Sequence, residues 1–335
     1  MTKSSRIAVV ALVGLSLTAC NETGIAYGDV NSIIAVMPPD LWEQTEESVY
    51  AALEPTIQTV GDEKTFTVTY QDPAGEHWTD LRRFRQMLLF GTADKIWMQE
   101  AMAESAEPIT EPGFYQVGDV WARGQQITIV LLPDGAGAAD VQQHLGAINT
   151  LLDGQFRTYA RNRMYMSGVD SALADTLYTE LGFTLMLPQV YDWRASDSVY
   201  IFRNDNPSPD ELIREISVSW RTPIPADMQA ESILAWREEV VSEHYSEPQD
   251  HSLDDSVASA IDYRGLYAYQ IRAQWQNPPD RGWPAGGPFI TRAIVCEGQN
   301  RMYLVDGWLY APGKEKYEYM IQLETILDSF RCGAA

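Results

Sequence analysis

Three long strand patterns follow one another near the end of the sequence and constrain the fold more than any other feature. In the first, apolar side chains alternate with polar ones, which is typical of a strand with one buried face. Gly298-Gln299-Asn300 lies between the second and the third, where a hairpin would turn. We therefore predict an antiparallel sheet whose long strands cover Leu266–Trp275, Phe289–Cys296 and Met302–Tyr310.

The other segments of the second half add shorter strands and helices to this sheet. Strand patterns cover Ser198–Phe202 and Glu215–Trp220, and a helical pattern covers Met228–Tyr245. A closing amphipathic helix places four apolar residues on one face, namely Met320, Leu323, Leu327 and Phe330. Several adjacent strands with separate helices are typical of an antiparallel α+β domain, which we assign to residues 167–335.

In the first half of the sequence, the predicted strands and helices alternate. Apolar strand patterns cover Ile33–Val36 and Ile127–Leu132, and a long helical pattern runs from Val141 to Tyr159. Arg82 to Arg85 is predicted to form a basic helical patch before the next apolar strand. Because alternating strands and helices build layered sheets, we predict an N-terminal α/β domain over residues 32–166.

Four segments carry a resemblance to a known family, and they are Asp119-Val120-Trp121-Ala122-Arg123, Gly286-Gly287-Pro288-Phe289, the run from Val305 to Pro312, and the helix Gln322-Leu323-Glu324-Thr325-Ile326-Leu327. With them the chain resembles an uncharacterised envelope lipoprotein family, the domain of unknown function 4837. The resemblance covers nearly the whole mature chain, most specifically Gly286 to Phe330, and brings with it no activity or catalytic residue. Phe183 to Pro188, opening a domain that ends in an amphipathic helix, is similar to PsbP-like domains, which are antiparallel sheets with flanking helices.

The first twenty residues have the pattern of a bacterial lipoprotein signal. Lys3 and Arg6 precede an eleven-residue apolar run, and the segment ends in Leu17-Thr18-Ala19-Cys20. Such a run is too short to span a bilayer as a helix. We predict that residues 1–19 are removed, that Cys20 is acylated and that residues 20–31 form a lipidated tether. Asn21, where Asp would favour the inner membrane, indicates the outer membrane and a body that faces the periplasm. An ordinary cleaved signal with an incidental cysteine is the alternative.

The charge of the chain excludes nucleic acid as a partner. The sequence holds 47 acidic and 24 basic residues, a formal net charge of −23. Removal of residues 1–19 takes away Lys3 and Arg6, so the mature chain carries −25. Such a surface repels phosphate backbones and anionic headgroups. Membrane attachment is therefore expected to come from the lipid and not from a basic patch.

Two cysteines remain once Cys20 is assigned to the lipid. Cys296 ends a predicted strand and Cys332 follows the last predicted helix. An oxidising periplasm lets such a pair form a disulfide that ties the C-terminus to the sheet. Sequence alone does not show whether the two Cα atoms lie within the ~7 Å that a disulfide needs. Two free thiols are therefore the alternative to a disulfide.

Few residues have the spacing of a catalytic or metal site, and we predict no catalytic residue, metal or cofactor. The loop Gly135–Asp140 follows a strand and opens a helix, but Asp140 stands where a dinucleotide fingerprint has its third small residue. His244 and His251 lie among acidic residues without a zinc or calcium spacing, and an acidic loop with solvated histidines is expected there. The sequence also lacks a GxSxG elbow, a CxxC pair and a Walker loop.

The best candidate for binding is the aromatic, proline-rich loop from Trp275 to Phe289. It is too long for a tight hairpin, and long loops inside compact domains are frequently functional. Trp275, Arg281, Trp283 and Phe289 are the candidate contact residues for a sugar or a protein partner. In the alternative interpretation Trp275 and Phe289 belong to the core and the prolines only shape the connection.

Two functions follow from these observations. The first is a non-catalytic accessory or binding protein that is anchored to the membrane and recognises an envelope protein or glycan. The second is a hydrolase or transferase that acts on envelope polymers through scattered carboxylates, since 47 acidic residues offer many pairs.

The lipid anchor is tested by removing the sulfur that would carry it. We expect Cys20→Ala to abolish metabolic labelling with palmitate, because the diacylglyceryl group has no other attachment site in the signal. The variant Cys296→Ser/Cys332→Ser serves as a control and keeps the label. Continued labelling of Cys20→Ala would disprove the anchor.

Overall fold

The computed structural model describes residues 24–281 and 283–333, with the backbone alone for 252–255. Residues 1–23, which include Cys20 and the first part of the predicted tether, lie outside the described residues, whereas residues 24–31 of that tether are described and Ile25 and Tyr27 form β-bridges with Arg123 and Phe84. The first half of the described chain contains β1 (Ser32–Val36), α1 (Pro39–Leu53), β2 (Thr56–Gln58), β3 (Asp62–Lys64), β4 (Thr67–Gln71), α2 (Trp78–Leu81), β5 (Gln86–Gly91), α3 (Ile96–Ala103), β6 (Gly113–Gly118), β7 (Gln126–Leu131) and α4 (Ala138–Met164).

The second half starts with a short helix that continues as a π-helical turn, Leu177–Leu181, and most of its strands are long. Its elements are α5 (Ser171–Thr176), β8 (Phe183–Thr184), β9 (Asp192–Ser196), β10 (Val199–Asn204), β11 (Ile213–Arg221), α6 (Ala230–His244), β12 (Asp250–Tyr263), β13 (Leu266–Gln276), β14 (Gly286–Cys296), β15 (Arg301–Tyr310), α7 (Tyr317–Asp328) and β16 (Arg331–Cys332).

The first sheet has five strands in the order β4-β1-β5-β7-β6. The four strands β4, β1, β5 and β7 are parallel, and β6 pairs antiparallel with β7 at the edge. Helices α1 and α4 pack on one face and α3 on the other. Strands that are covered on both faces consist of continuous runs of apolar residues. This is why β1 and β7 could be predicted from the sequence. The predicted α/β class of this half is confirmed.

The second sheet has seven antiparallel strands in the order β12-β13-β14-β15-β11-β10-β9. Helix α7 packs on one face and α6 on the other. The pairing of β14 with β15 runs from Phe289↔Trp308 to Cys296↔Arg301, so the predicted hairpin turn lies where the sequence placed it. The prediction of an antiparallel sheet with flanking helices is confirmed.

Two local predictions are wrong. Residues 250–263 form the edge strand β12 and not an acidic loop, because β13 supplies backbone partners that compensate for its polar composition. The predicted basic helix at Arg82–Arg85 is also absent, since α2 ends at Leu81. The amide of Arg85 donates instead to the carbonyl of Tyr27 (2.7 Å), which holds this segment against the start of the described chain.

Helix α7 contributes to the cores of both sheets. Its residues Tyr317 and Ile321 pack with the apolar side chains of α1 and α4, while Leu323 and Leu327 pack against the second sheet. Gly307 of β15 permits this close packing, because a Cβ atom there would lie 2.9 Å from Leu327 Cδ1. The predicted boundary near residue 166 stays a prediction.

Helices that are both long and apolar enough to cross a membrane are not found between residues 24 and 333, as far as the chain is described.

The structure joins Cys296 and Cys332 through their sulfurs, with the Cα atoms 6.0 Å apart. Cys296 ends β14, and Cys332 belongs to the short strand β16, which pairs with β8. The link closes a loop over a separation of 36 residues and holds the end of the chain on the second sheet.

A thiol titration tests this link. We expect unfolded, unreduced protein to show no free thiol, and reduction to lower the free energy of unfolding by about 2–4 kcal/mol, because the unfolded chain gains freedom when the loop opens. Cys332→Ser without reductant should lose the same amount. Two free thiols in the unreduced protein would contradict the link.

Candidate functional site

The structure separates the four residues predicted for binding into two pairs. Trp275 is 2% exposed, its indole Nε1 donates to the carbonyl of Leu309 (3.1 Å), and Phe289 is completely buried. Arg281 and Trp283 lie on the exposed loop between β13 and β14, and Trp283 is 86% exposed. The candidate surface on this loop therefore narrows to Arg281 and Trp283.

Phe289 belongs to the apolar cluster under helix α6, and a charged network lies above its ring. The guanidinium carbon of Arg237 is 3.8 Å from the centroid of Phe289, and its Nε donates to Asp306 Oδ1 (2.9 Å). Asp306 also accepts from Tyr245 Oη (2.7 Å) and from the hydroxyl of Thr291. Both charged groups are buried, so each depends on the other for compensation.

This network holds α6 on the sheet. One of its residues, Asp306, is recognisable in the sequence as an acid that needs a buried partner. Asp306 stands between Val305 and Gly307-Trp308 in a strand that is otherwise apolar, and an acid buried in such a strand requires a partner. Arg237, on α6, is that partner. The pairing itself was not predictable, because 69 residues separate the two groups.

A second buried carboxyl lies beside this network. Glu215 accepts from Trp308 Nε1 (3.1 Å) and from Arg203 Nη1 (3.1 Å), and Arg203 also contacts Glu247. Burial raises the pKa of Glu215 to about 7 against the opposing effect of Arg203. Glu215 is completely buried, so a polymer chain does not reach it.

The two histidines considered for a metal lie in different elements. His244 ends α6 and His251 opens β12, where its Nδ1 is 3.1 Å from Glu238 Oε1. Both side chains are mostly buried, so the expectation of solvated histidines is wrong. The described part of the chain contains no group of three or more His, Cys, Asp or Glu side chains arranged to hold a metal ion. Asp140 accepts from the amide of Gly137 (2.9 Å) and so caps α4.

A cavity of about 640 Å³ lies between the end of α4, the loop after β10 and the start of α7, and we name it the Arg214 cleft. Its volume is that of a small-molecule site. Its polar lining comes from three parts of the chain, and consists of Arg163, Ser167, Tyr191, Asn204, Asn206, Arg214, Lys314, Glu318, Tyr319 and Gln322. The cleft was not predictable from the sequence, because no short motif contains these residues.

A chain of polar contacts crosses the Arg214 cleft. Arg214 Nη1 donates to Gln322 Oε1 (2.9 Å), Gln322 Nε2 donates to Glu318 Oε1 (3.1 Å), and Arg163 Nη1 donates to Glu318 Oε2 (2.9 Å). Burial raises the pKa of Glu318, against the lowering effect of Arg163. Glu318 is the single carboxylate among the described residues that line the cleft, beside three cations.

Two buried donors in the wall of the cleft have no acceptor among the described residues. They are the hydroxyl of Tyr191, a residue only 5% exposed, and Nε of Arg214. Burial raises the pKa of Tyr191 to about 12, so its hydroxyl stays a neutral donor. Buried donors are almost always paired in native proteins, so a ligand that brings acceptor oxygens to this wall would bind favourably.

The rim of the cleft is apolar on one side. Met166 is 84% exposed and Val190 is 43% exposed. On the other side the guanidinium carbon of Arg214 lies 5.7 Å from the ring centroid of Tyr319. The cleft thus combines cationic donors with apolar and aromatic surface.

Residues 170–329 match the family described as Domain of unknown function (DUF4837). This match confirms the resemblance predicted from the sequence, over a shorter range than the nearly full length that was expected. It includes the second sheet, α6, α7 and most of the Arg214 cleft. No curated protein matches the sequence.

Three solved structures are similar to about half of this chain at low identity. Cyanobacterial PsbP (CyanoP) from Synechocystis sp. PCC 6803 is 16% identical over 46% of this chain and 88% of that chain, with a TM-score of 0.31. LpqN, involved in cell envelope biogenesis of Mycobacterium tuberculosis, is 13% identical over 45% and 83%, with a TM-score of 0.28. The Ran-binding protein Mog1p of Saccharomyces cerevisiae is 10% identical over 46% and 91%, with a TM-score of 0.31.

The buried pair under α6 is tested by truncating its acid. We expect Asp306→Ala to lower the free energy of unfolding by about 3–5 kcal/mol, because Arg237 then stays buried without a counter-charge. Denaturant unfolding measures the loss. The matched control Asp205→Ala removes an exposed partner of Arg203 and should cost less than about 1 kcal/mol. Equal effects of the two variants would contradict the structural role of Asp306.

Proposed function

We propose that this chain is an outer-membrane lipoprotein, anchored through Cys20 and facing the periplasm, that binds an envelope ligand without catalysis. The lipobox supports the anchor, and the match of residues 170–329 to an uncharacterised family is compatible with it. The ligand-binding site is the Arg214 cleft.

The unpartnered donors in the wall of this cleft carry the proposal. Tyr191 Oη and Arg214 Nε need acceptor oxygens. Arg163 and Lys314 line the same cleft as ion pairs, with Glu318 and Glu211 respectively, whereas Arg214 has no ion pair among the described residues. In a chain with a formal net charge of −23, the guanidinium of Arg214 is therefore a local attraction for an acidic group. The exposed amide of Asn206 can hydrogen-bond to the hydroxyl groups of a sugar, and the ring of Tyr319 can pack against its apolar face. The ligand is therefore an acidic glycan of the envelope.

The lining of the cleft favours binding over hydrolysis. A glycosidase places two carboxyl groups about 5–9.5 Å apart across the scissile bond. The described lining of the Arg214 cleft holds Glu318 alone, and Glu318 is occupied by Arg163 and Gln322. The carboxyl with the most raised pKa, Glu215, lies inside the protein under Trp308.

Calorimetry with two matched probes tests this function. One probe is a disaccharide–tetrapeptide muropeptide, which carries carboxylates, and the other is chitotriose, a neutral N-acetylated sugar. We expect the muropeptide to bind at least tenfold more tightly than chitotriose. Arg214→Gln should weaken muropeptide binding by about tenfold or more, since it removes a charged donor. The same incubation, followed by mass spectrometry, should return the muropeptide intact.

The aromatic loop supplies the matched control. Arg281→Ala/Trp283→Ala leaves the cleft untouched and should bind the muropeptide like the unaltered protein. Loss of binding in this variant, with retention in Arg214→Gln, would overturn the cleft and assign the site to the loop. Cleavage of the muropeptide would support the hydrolase alternative.

A further inference from the structure

Three arginines lie together at the point where the described chain begins. Ile25 forms a β-bridge with Arg123, and the amide of Arg123 donates to the carbonyl of Gly24 (2.8 Å). Tyr27 pairs on its other side with the segment that contains Arg83 and Arg85. We name the surface formed by Ile25, Tyr27, Arg83, Arg85 and Arg123 the arginine face.

The segments that carry this face are held together, and the guanidinium of Arg83 packs against Gly24, whose carbonyl accepts from the amide of Arg123. The side-chain amide of Gln125 donates to the carbonyls of Arg82 (2.7 Å) and Phe84 (2.8 Å), which ties the Arg123 loop to the Arg83–Arg85 segment. Arg85 and Arg123 also line one cavity of about 340 Å³ together with Ile25. Segments distant in sequence thus bring their positive charges to a single surface.

These charges are not neutralised within the described residues. Arg82 is 3.7 Å from Glu100, whereas Arg83, Arg85 and Arg123 have no ion pair in the part of the chain that the structure describes. Three acidic residues are neighbours of the face: Asp29 follows Tyr27 in the chain, the backbone carbonyl of Asp80 accepts from Tyr27 Oη (2.8 Å), and Asp119 accepts from the amide of Gly124, but none of the three forms an ion pair with these arginines among the described residues. Two apolar side chains stand out beside the arginines, with Ile25 66% exposed and Tyr27 42% exposed. A positive surface with exposed apolar side chains is unusual on a protein of this negative charge.

The length of chain before the arginine face places it near the membrane. Gly24 lies four positions after Cys20, and four extended residues span at most about 14 Å. If Cys20 carries the lipid, as proposed above, the start of the face lies within that distance of the bilayer surface. The Debye length at physiological salt is about 8–10 Å, so the arginines are attracted to lipid phosphates whenever this linker is shorter than its full extension.

We propose that the arginine face docks on anionic phospholipid headgroups and orients the protein on its membrane. The guanidinium groups bind lipid phosphates as bidentate donors, and Tyr27 lies at the headgroup level where amphipathic rings are favoured. Attachment still comes from the acyl chains, as the overall charge requires. The arginines decide which side of the acidic body turns toward the bilayer.

Arginine footprinting of the mature lipoprotein in nanodiscs tests this orientation. Phenylglyoxal modification of each arginine is followed by mass spectrometry, in discs of phosphatidylglycerol and in discs of phosphatidylcholine. We expect Arg83 and Arg123 to react at least fivefold more slowly in phosphatidylglycerol. Arg281, exposed on the second sheet's loop, is the internal control and should react equally in both. Raising NaCl from 0.1 to 1 M should remove the difference, because the screening length falls to about 3 Å.

A pair of variants separates docking from simple proximity to the anchor. Arg83→Gln/Arg85→Gln should let Arg123 react in phosphatidylglycerol discs at its phosphatidylcholine rate. The control Arg161→Gln/Arg264→Gln removes two arginines elsewhere and should keep Arg123 protected. Equal reactivity of Arg83 and Arg123 in the two lipids would overturn the inference, as would protection in native envelope vesicles alone, which would assign the face to a protein partner.

The same experiment distinguishes the anchor from the docking surface. Protein that does not co-elute with either disc disproves the lipid anchor, and the docking inference fails with it. Protein that co-elutes with both discs but shows no lipid-dependent protection keeps its anchor and loses only the docking surface.

Discussion

The packing of helix α7 against both sheets is the constraint on which the rest of the structure depends. Tyr317 and Ile321 enter the core of the first sheet, while Leu323 and Leu327 cover the second. Ion pairs strengthen the contact, since Glu324 accepts from both Arg157 of α4 (2.9 Å) and Arg272 of β13 (2.7 Å). Burial on both sides leaves the helix little freedom to shift. The Arg214 cleft depends on this packing, because three of its polar residues belong to α7 and are held in place by it.

The distribution of charge over the surface, more than the net charge, decides which ligands and lipids this protein can bind. A formal net charge of −23 keeps the surface soluble and repels polyanions, and it would by itself argue against any anionic ligand or lipid. The fold nevertheless collects arginines at two places, the Arg214 cleft and the arginine face. Attraction at these places is short-ranged under physiological salt, so an acidic body and local cationic sites coexist. The expectation that such a surface repels anionic headgroups came from composition, which carries no positional information.

Helices and strands were predictable wherever the burial of one face makes apolar residues recur at regular intervals in the sequence. Strands β1, β7, β13 and β15 and helix α4 show such periods, and their class was predicted correctly. Strand β12 was missed because its polar residues form a strand only with β13 beside them. The basic segment at Arg82–Arg85 was predicted as a helix because arginine is a good helix former. Its backbone pairs instead with Tyr27, a contact over more than fifty residues.

By itself the sequence determined the order and type of most elements and the sign of the overall charge. These properties depend on neighbours in the chain, so local patterns record them. The tertiary structure alone decided that Trp275 and Phe289 are buried, that Arg237 compensates Asp306, and that Tyr191 and Arg214 share a cleft. Each depends on contacts between residues distant in the chain, and a side chain acquires its burial and its partners only when those segments pack together.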